Sequence, residues 1–163
     1  MQKNWVRALT TLTTLTMMAL IFLFSTQSAE QSDATSGTFA GWAADLTHPG
    51  WREMPEEERL RLYNEAQHAV RKAAHFTEFL LLGISLRLCL ESWLGRRSFL
   101  WILSWGGGTL YAAMDEFHQL LVDGRSGQWT DALIDSAGVL CGTLLAAAAV
   151  RALWKRKEKT VRA

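Results

Sequence analysis

Four apolar runs that are almost free of charge constrain this chain more than any other feature of its sequence. They span 8–24, 76–93, 98–114 and 133–150. Charged residues make up 20% of the chain, yet the first and third runs contain none and the fourth contains only Asp135. Because a helix crosses a bilayer core with about 20 mostly apolar residues, the sequence predicts four transmembrane helices.

The four runs use nearly the whole length of the chain. We therefore expect one all-α domain over 1–163, an integral membrane four-helix bundle with a helical outward loop between its first two helices. Pro55 followed by three glutamates is typical of the first turn of a helix in that loop. Two alternatives stay open: the first run could be a cleaved signal peptide, and the second could be a buried helix of a soluble protein.

Basic residues indicate the orientation of the chain. The positive-inside rule places the Lys-rich and Arg-rich ends of the spans in the cytoplasm. We expect a multi-pass protein of the plasma membrane with both termini cytoplasmic, a basic tail at 151–163, and the segments 25–72 and 115–132 outside. The tail directly follows a span, which favours contact with lipid headgroups over binding of nucleic acid. The basic residues on the predicted inner side are Lys3, Arg7, Arg96, Arg97, Arg151, Lys155, Arg156, Lys157, Lys159 and Arg162.

Ionisable and polar side chains collect at the predicted outer ends of the spans. Such groups are costly near the membrane interior, so a functional role is the first hypothesis. Asp135 shares one helical stripe with Gly138 and Gly142, and a stripe of small residues allows close helix packing. We therefore expect Asp135 to face the other helices. The candidate site residues are Arg71, Lys72, His75, Glu78, Asp115, Glu116, His118, Gln119, Arg125, Asp131 and Asp135.

Ion pairs are the simplest interpretation of this polar set. Arg71 is expected to pair with Asp131 or Asp135, and His75 with Glu78 or Asp115. A buried ion that loses its partner is strongly destabilising. If Asp135 faces the other helices, replacing it with leucine should be the change most damaging to folding.

Two motifs contain most of these polar residues. The first comprises Arg71, Lys72, His75, Phe76, Glu78 and Phe79, and the second comprises Asp115, Glu116, His118, Gln119, Gly124, Arg125, Asp131, Asp135, Gly138 and Gly142. Both motifs resemble those of the VanZ-like family of membrane proteins, and Phe24-Ser25-Thr26-Gln27 is similar to an element that ends the family's first helix. Asp123 stands where that family usually has proline, and Phe79 stands where tyrosine is common. The resemblance implies a small multi-pass envelope protein related to a determinant of resistance to the glycopeptide teicoplanin, and it supplies no reaction.

Four roles for this polar set are compatible with the sequence. It could lock the helices together, recognise a lipid-linked cell-wall precursor or a glycopeptide, act as an enzyme on an envelope lipid, or bind a metal ion. Arginine forks suit phosphate, whereas no nucleophile motif is visible and the histidines lack zinc spacing. We expect no cofactor and no metal. Membrane lipids are the expected partners, nucleic acid is not, and an oligomer is compatible with the sequence.

Overall fold

The predicted apolar runs fold as long helices. The computed structural model describes residues 4–125 and 128–162, and within these ranges it is all-α, without strands. The segment between α2 and α3 contains a short 3-10 helix, Trp51–Glu53. The five α-helices are α1 (Asn4–Ser25), α2 (Ala29–Thr47), α3 (Glu56–Leu94), α4 (Leu100–Gln119) and α5 (Trp129–Arg162).

Three helices in the described ranges, α1, α3 and α5, are long and apolar enough to cross a membrane. On α1, large apolar side chains such as Leu12 and Leu23 are exposed. Outward-facing apolar side chains of this kind suit a lipid environment. The predictions of helices at 8–24, 76–93 and 133–150 are confirmed.

The third predicted span, 98–114, is confirmed as a helix but not as a membrane span. Within α4 the apolar character is diluted by Gly106–Gly108 and by the adjacent Asp115 and Glu116. The helix nevertheless has 20 residues, which is about 30 Å at 1.5 Å per residue. It runs beside α5, where Trp105 Nε1 donates to Ser136 Oγ at 3.0 Å.

The longest helix, α3, is the centre of the fold. It has 39 residues and contacts α1, α2, α4 and α5. Its start at Glu56, after Pro55, agrees with the prediction from the glutamate cluster, and it continues without a break into the membrane segment. The segment between the first two predicted spans is thus partly an extension of the second span itself.

Glycines bring α5 against α3. A Cβ atom on Gly142 would collide with the carbonyl oxygen of Leu80, and one on Gly138 would lie 2.5 Å from the carbonyl oxygen of Phe76. The stripe predicted from the sequence therefore faces the bundle, and Asp135 on the same stripe is fully buried. On the neighbouring helix, Gly108 lies against the side chain of Val139.

The second helix covers the end of the bundle at which α3 carries Arg71. Ser28 and Gln31 form a capping box at its start, an arrangement that satisfies free backbone N–H groups. At its other end, Asp45 accepts hydrogen bonds from Trp51 Nε1 at 2.7 Å and from Arg52. Trp51 is buried and is a packing residue, whereas Trp42 is exposed.

The opposite end of the bundle contains the basic segments. Arg87 and Glu91 form a buried ion pair at 2.8 Å, one turn apart on α3, so a local pair explains this charged couple. The predicted tail at 151–163 continues α5 as a helix as far as Arg162. Lys3, which contributed to the predicted orientation, lies outside the described residues.

Candidate functional site

A polar cavity lies between α3, α5 and the loop that joins α4 to α5. Its volume is about 170 Å³, and it is partly open. Residues of both sequence motifs line it, so the structure joins segments that are far apart in the sequence. Its lining includes Arg71, Lys72, His75, Gln119, Arg125, Asp131 and Asp135.

Two basic residues of α3 form ion pairs at this cavity. Lys72 Nζ lies 3.3 Å from Asp131 Oδ1, and Arg71 Nη1 lies 3.3 Å from Asp33 Oδ1 on α2. The prediction that Arg71 pairs with Asp131 or Asp135 is therefore wrong. The prediction failed because α2 packs beside α3 and brings Asp33, which the sequence pattern did not indicate, next to Arg71.

A chain of hydrogen bonds positions Arg125. Its Nη1 donates to Gln119 Oε1 at 2.9 Å, and Gln119 Nε2 donates to Asp115 Oδ2 at 3.0 Å. Asp115 and Gln119 are both buried. Arg125 belongs to the short loop after α4, and its hydrogen bond to Gln119 therefore holds its guanidinium in place at the cavity.

Glu116 has a different task from its neighbour Asp115. Its Oε2 accepts the backbone N–H of Gln128 at 2.9 Å, just before α5 begins. The carboxylate thereby ties the end of α4 to the start of α5. We assign it to the framework of the loop, outside the cavity lining.

Four side chains in the cavity wall have buried atoms without a hydrogen-bond partner among the described residues. Two of them, Arg125 at Nε and Asp131 at Oδ1, have a hydrogen bond or an ion pair elsewhere on the side chain or at that atom, whereas Nδ1 of His75 and both carboxylate oxygens of Asp135 have neither a hydrogen bond nor an ion pair. The expected pairing of His75 with Glu78 or Asp115 is thus absent from the described contacts. A buried polar group without a partner costs about 1–3 kcal/mol, so His75 and Asp135 are candidates for contact with a ligand.

Arg71, His75 and Arg125 also line a second cavity of about 190 Å³ on the side of α2. Glu78 opens to this second cavity, together with apolar side chains such as Phe24. The three basic residues thus lie between two spaces. Glu78 is at the site end of the bundle as predicted, but it does not line the first cavity.

His118 lies apart from the polar cavity. Its ring contacts Phe22 of α1 at a centroid distance of 4.8 Å, and Nδ1 is 3.4 Å from Ser25 Oγ. Phe22 and His118 line an apolar groove between α1 and α4. The two motif histidines therefore share one end of the bundle without sharing one cavity.

Arg125 is a partly buried cation close to a second arginine. Burial, and then the charge of nearby Arg71, lowers the pKa of the Arg125 guanidinium below its usual value. A group with so high an ordinary pKa stays protonated at neutral pH. An anion held between Arg71 and Arg125 would counteract both the effect of burial and the repulsion between the two guanidinium groups.

Sequence reasoning missed several residues of the site. Asp33 pairs with Arg71, and Gln67 Nε2 donates to the backbone oxygen of Asp33 at 3.1 Å. The capping-box pattern at Ser28 and Gln31 would have indicated a helix here, and hence an element able to cover α3. Within the described ranges, no group of three His, Cys, Asp or Glu side chains is arranged to hold a metal ion.

Comparison with known proteins gives one match. A family model described as VanZ/LLP1 matches residues 10–151, which includes every residue that lines the polar cavity. The comparisons with curated proteins and with solved structures found no match.

Proposed function

This chain belongs to the VanZ/LLP1 family of membrane proteins, and on that basis we propose that its polar cavity binds the phosphate-bearing headgroup of an envelope lipid or lipid-linked precursor. In this proposal α4 is the third of four membrane crossings, both termini are cytoplasmic, and the cavity opens toward the outer headgroups. The protein would act by capturing its ligand there.

The observation that carries the proposal is the convergence of Arg71, Lys72 and Arg125 on one cavity. Arginine forks form short, charge-assisted hydrogen bonds with phosphate oxygens. Arg125 has no carboxylate partner among the described residues, and its Nε is buried without a hydrogen bond. A phosphate would supply the missing acceptor.

The size of the cavity favours a headgroup as the ligand. Its volume of about 170 Å³ is on the order of ten times the space that one water molecule needs. That space admits a phosphate with a short substituent. A glycopeptide antibiotic is many times larger, so protection against such a drug would act through a lipid-linked target.

Two other functions compete with this one. A structural scaffold of ion pairs explains the positions of Arg71 and Lys72. It does not explain Arg125, His75 and Asp135, which have no ionic partners among the described residues. An enzyme is the second rival, since the unpartnered imidazole of His75 lines the cavity and could exchange a proton with a ligand. Formation of product from a bound lipid would favour the enzyme.

The proposal can be tested with full-length protein in detergent micelles. The probes are short-chain polyprenyl monophosphate, phosphatidylglycerol and phosphatidylethanolamine, with binding measured by titration calorimetry. We expect saturable binding of at least one probe, and Arg125→Ala should weaken it about ten- to hundredfold, the equivalent of one lost hydrogen bond to a charged group.

Arg97→Ala is the matched control, because Arg97 is an exposed arginine at the other end of the bundle. It should leave binding unchanged. The proposal fails if none of the three probes binds, or if Arg125→Ala, folded as judged by its thermal unfolding, binds them as well as the wild type. In cells, loss of glycopeptide tolerance at a normal protein level would link the cavity to resistance.

A further inference from the structure

Two ionisable side chains of the polar cavity, one basic and one acidic, have no oppositely charged partner among the described residues. In the ion pairs of this part of the molecule, Arg71 pairs with Asp33 and Lys72 with Asp131. The two remaining groups are the guanidinium of Arg125, whose hydrogen bond in the described part of the chain goes to the neutral amide of Gln119, and the carboxyl group of Asp135. Both side chains line the same cavity.

Asp135 is the more unusual of the two. It is fully buried, with a relative exposure of 0%, and neither of its oxygens has a hydrogen-bond partner among the described residues. Charged groups in such surroundings are normally paired. Because Asp135 lines the cavity, a ligand that enters can supply the donor that the protein does not.

Arg125 and Asp135 do not satisfy each other, since no ion pair within 4.0 Å joins them in the described part of the chain. A single ligand with one negative and one positive group would satisfy both. We propose that the ligand headgroup is zwitterionic: a phosphate diester whose short substituent ends in a primary ammonium group, as in phosphoethanolamine lipids. This inference rests on the proposed function, because it assumes that Arg125 binds the phosphate.

The proposal makes the N–H groups of the ligand necessary. A primary ammonium donates hydrogen bonds to a carboxylate, whereas a trimethylated ammonium has no N–H and is bulkier. Phosphoglycerol, with hydroxyl donors and no positive charge, leaves the charge of Asp135 unbalanced. The expected order of affinity is therefore phosphoethanolamine first and phosphocholine last.

The test uses full-length wild-type protein in micelles and four short-chain phospholipids that share their acyl chains. Their headgroups are phosphoethanolamine, its N-monomethyl and N,N-dimethyl forms, and phosphocholine. We expect affinity to fall with each methyl group, by about ten- to hundredfold over the series, the equivalent of one hydrogen bond to a charged group. Phosphatidylglycerol should bind between the two extremes.

Asp135→Asn supplies the second arm, because it keeps the shape of the side chain and removes its charge. It should reduce the difference between phosphoethanolamine and phosphocholine to less than about threefold, while Arg125→Ala weakens all headgroups together. If wild type binds the whole series equally through Arg125, the zwitterion proposal is overturned and the phosphate site stands. If binding of every phosphate lipid is absent or independent of Arg125, both proposals are overturned.

Discussion

At the scale of single residues, Asp135 shows how the site differs from an ordinary buried ion pair. Pairing with Arg71 would have made this carboxyl group a structural element of the bundle. In the structure Arg71 pairs with Asp33, and Asp135 has no hydrogen-bond partner among the described residues. Because a buried polar group without a partner is costly, removing this carboxyl group should not cost stability, which is the opposite of the expectation from the sequence and can be tested against it.

We predict that Asp135→Leu leaves the free energy of unfolding equal to that of the wild type or raises it by about 1–3 kcal/mol, the cost of one unsatisfied buried polar group. The measurement is denaturant-induced unfolding of the purified protein in detergent. The comparison variant is Asp115→Leu, which removes a carboxylate that Gln119 does use and should cost about 1–3 kcal/mol. Greater damage from Asp135→Leu would show that Asp135 has a structural partner.

At the scale of helices, the glycines of α5 determine how closely the walls of the cavity approach. Gly142 and Gly138 remove the side chains that would otherwise separate α5 from α3. The close approach sets Asp131 beside Lys72 and turns Asp135 inward. The position of the acidic side of the cavity thus depends on residues that do not line it.

Gly142→Ala should destabilise the protein by about 1–3 kcal/mol, because the added methyl group overlaps the carbonyl of Leu80 and forces the helices apart. Thermal unfolding in detergent measures this loss. Gly107→Ala is the control on α4: no atom lies within 4 Å of its added Cβ, so it should be neutral or slightly stabilising, by up to about 1 kcal/mol. Equal effects of the two variants would contradict the described α3–α5 packing.

At the scale of the whole molecule, one end of the bundle contains the polar cavity and the other contains most of the basic residues. The loop after α3 carries Arg96 and Arg97, and the end of α5 is rich in lysine and arginine. On the basis of the positive-inside rule, we propose that this end is cytoplasmic. The cavity would then open toward the outer headgroups, where lipid-linked envelope precursors are used.

Cysteine labelling tests this orientation. In a background with Cys89→Ala and Cys141→Ala, a membrane-impermeant maleimide should label Glu58→Cys on intact cells. It should label Arg97→Cys only after the membrane is permeabilised, because α3 places these exposed positions on opposite sides. Labelling of both positions on intact cells would show that α3 does not cross the membrane.

Helix positions were largely predictable because they depend on local properties. The apolar runs, the glutamate cluster at Glu56 and the glycine stripe each act within a few turns, and the structure confirms them. The hydrophobicity of the third predicted span, 98–114, was overestimated. This segment has no charged residue, but its three glycines and two tryptophans make it only weakly apolar. The presence of Arg71, Arg125 and Asp135 at one end of the bundle also followed from helix order alone.

By itself, the sequence determined the helices, the family motifs and the end of the bundle at which polar residues gather, because these follow from hydrophobicity and chain order. Only the tertiary structure decided which charges meet. Asp33 pairs with Arg71 and Asp131 pairs with Lys72. His118 lies in a separate groove, and Arg125 and Asp135 have no ionic partner among the described residues. The physical reason is that ion pairing depends on helix rotation and ångström-scale distances, which are fixed by packing between elements distant in the sequence.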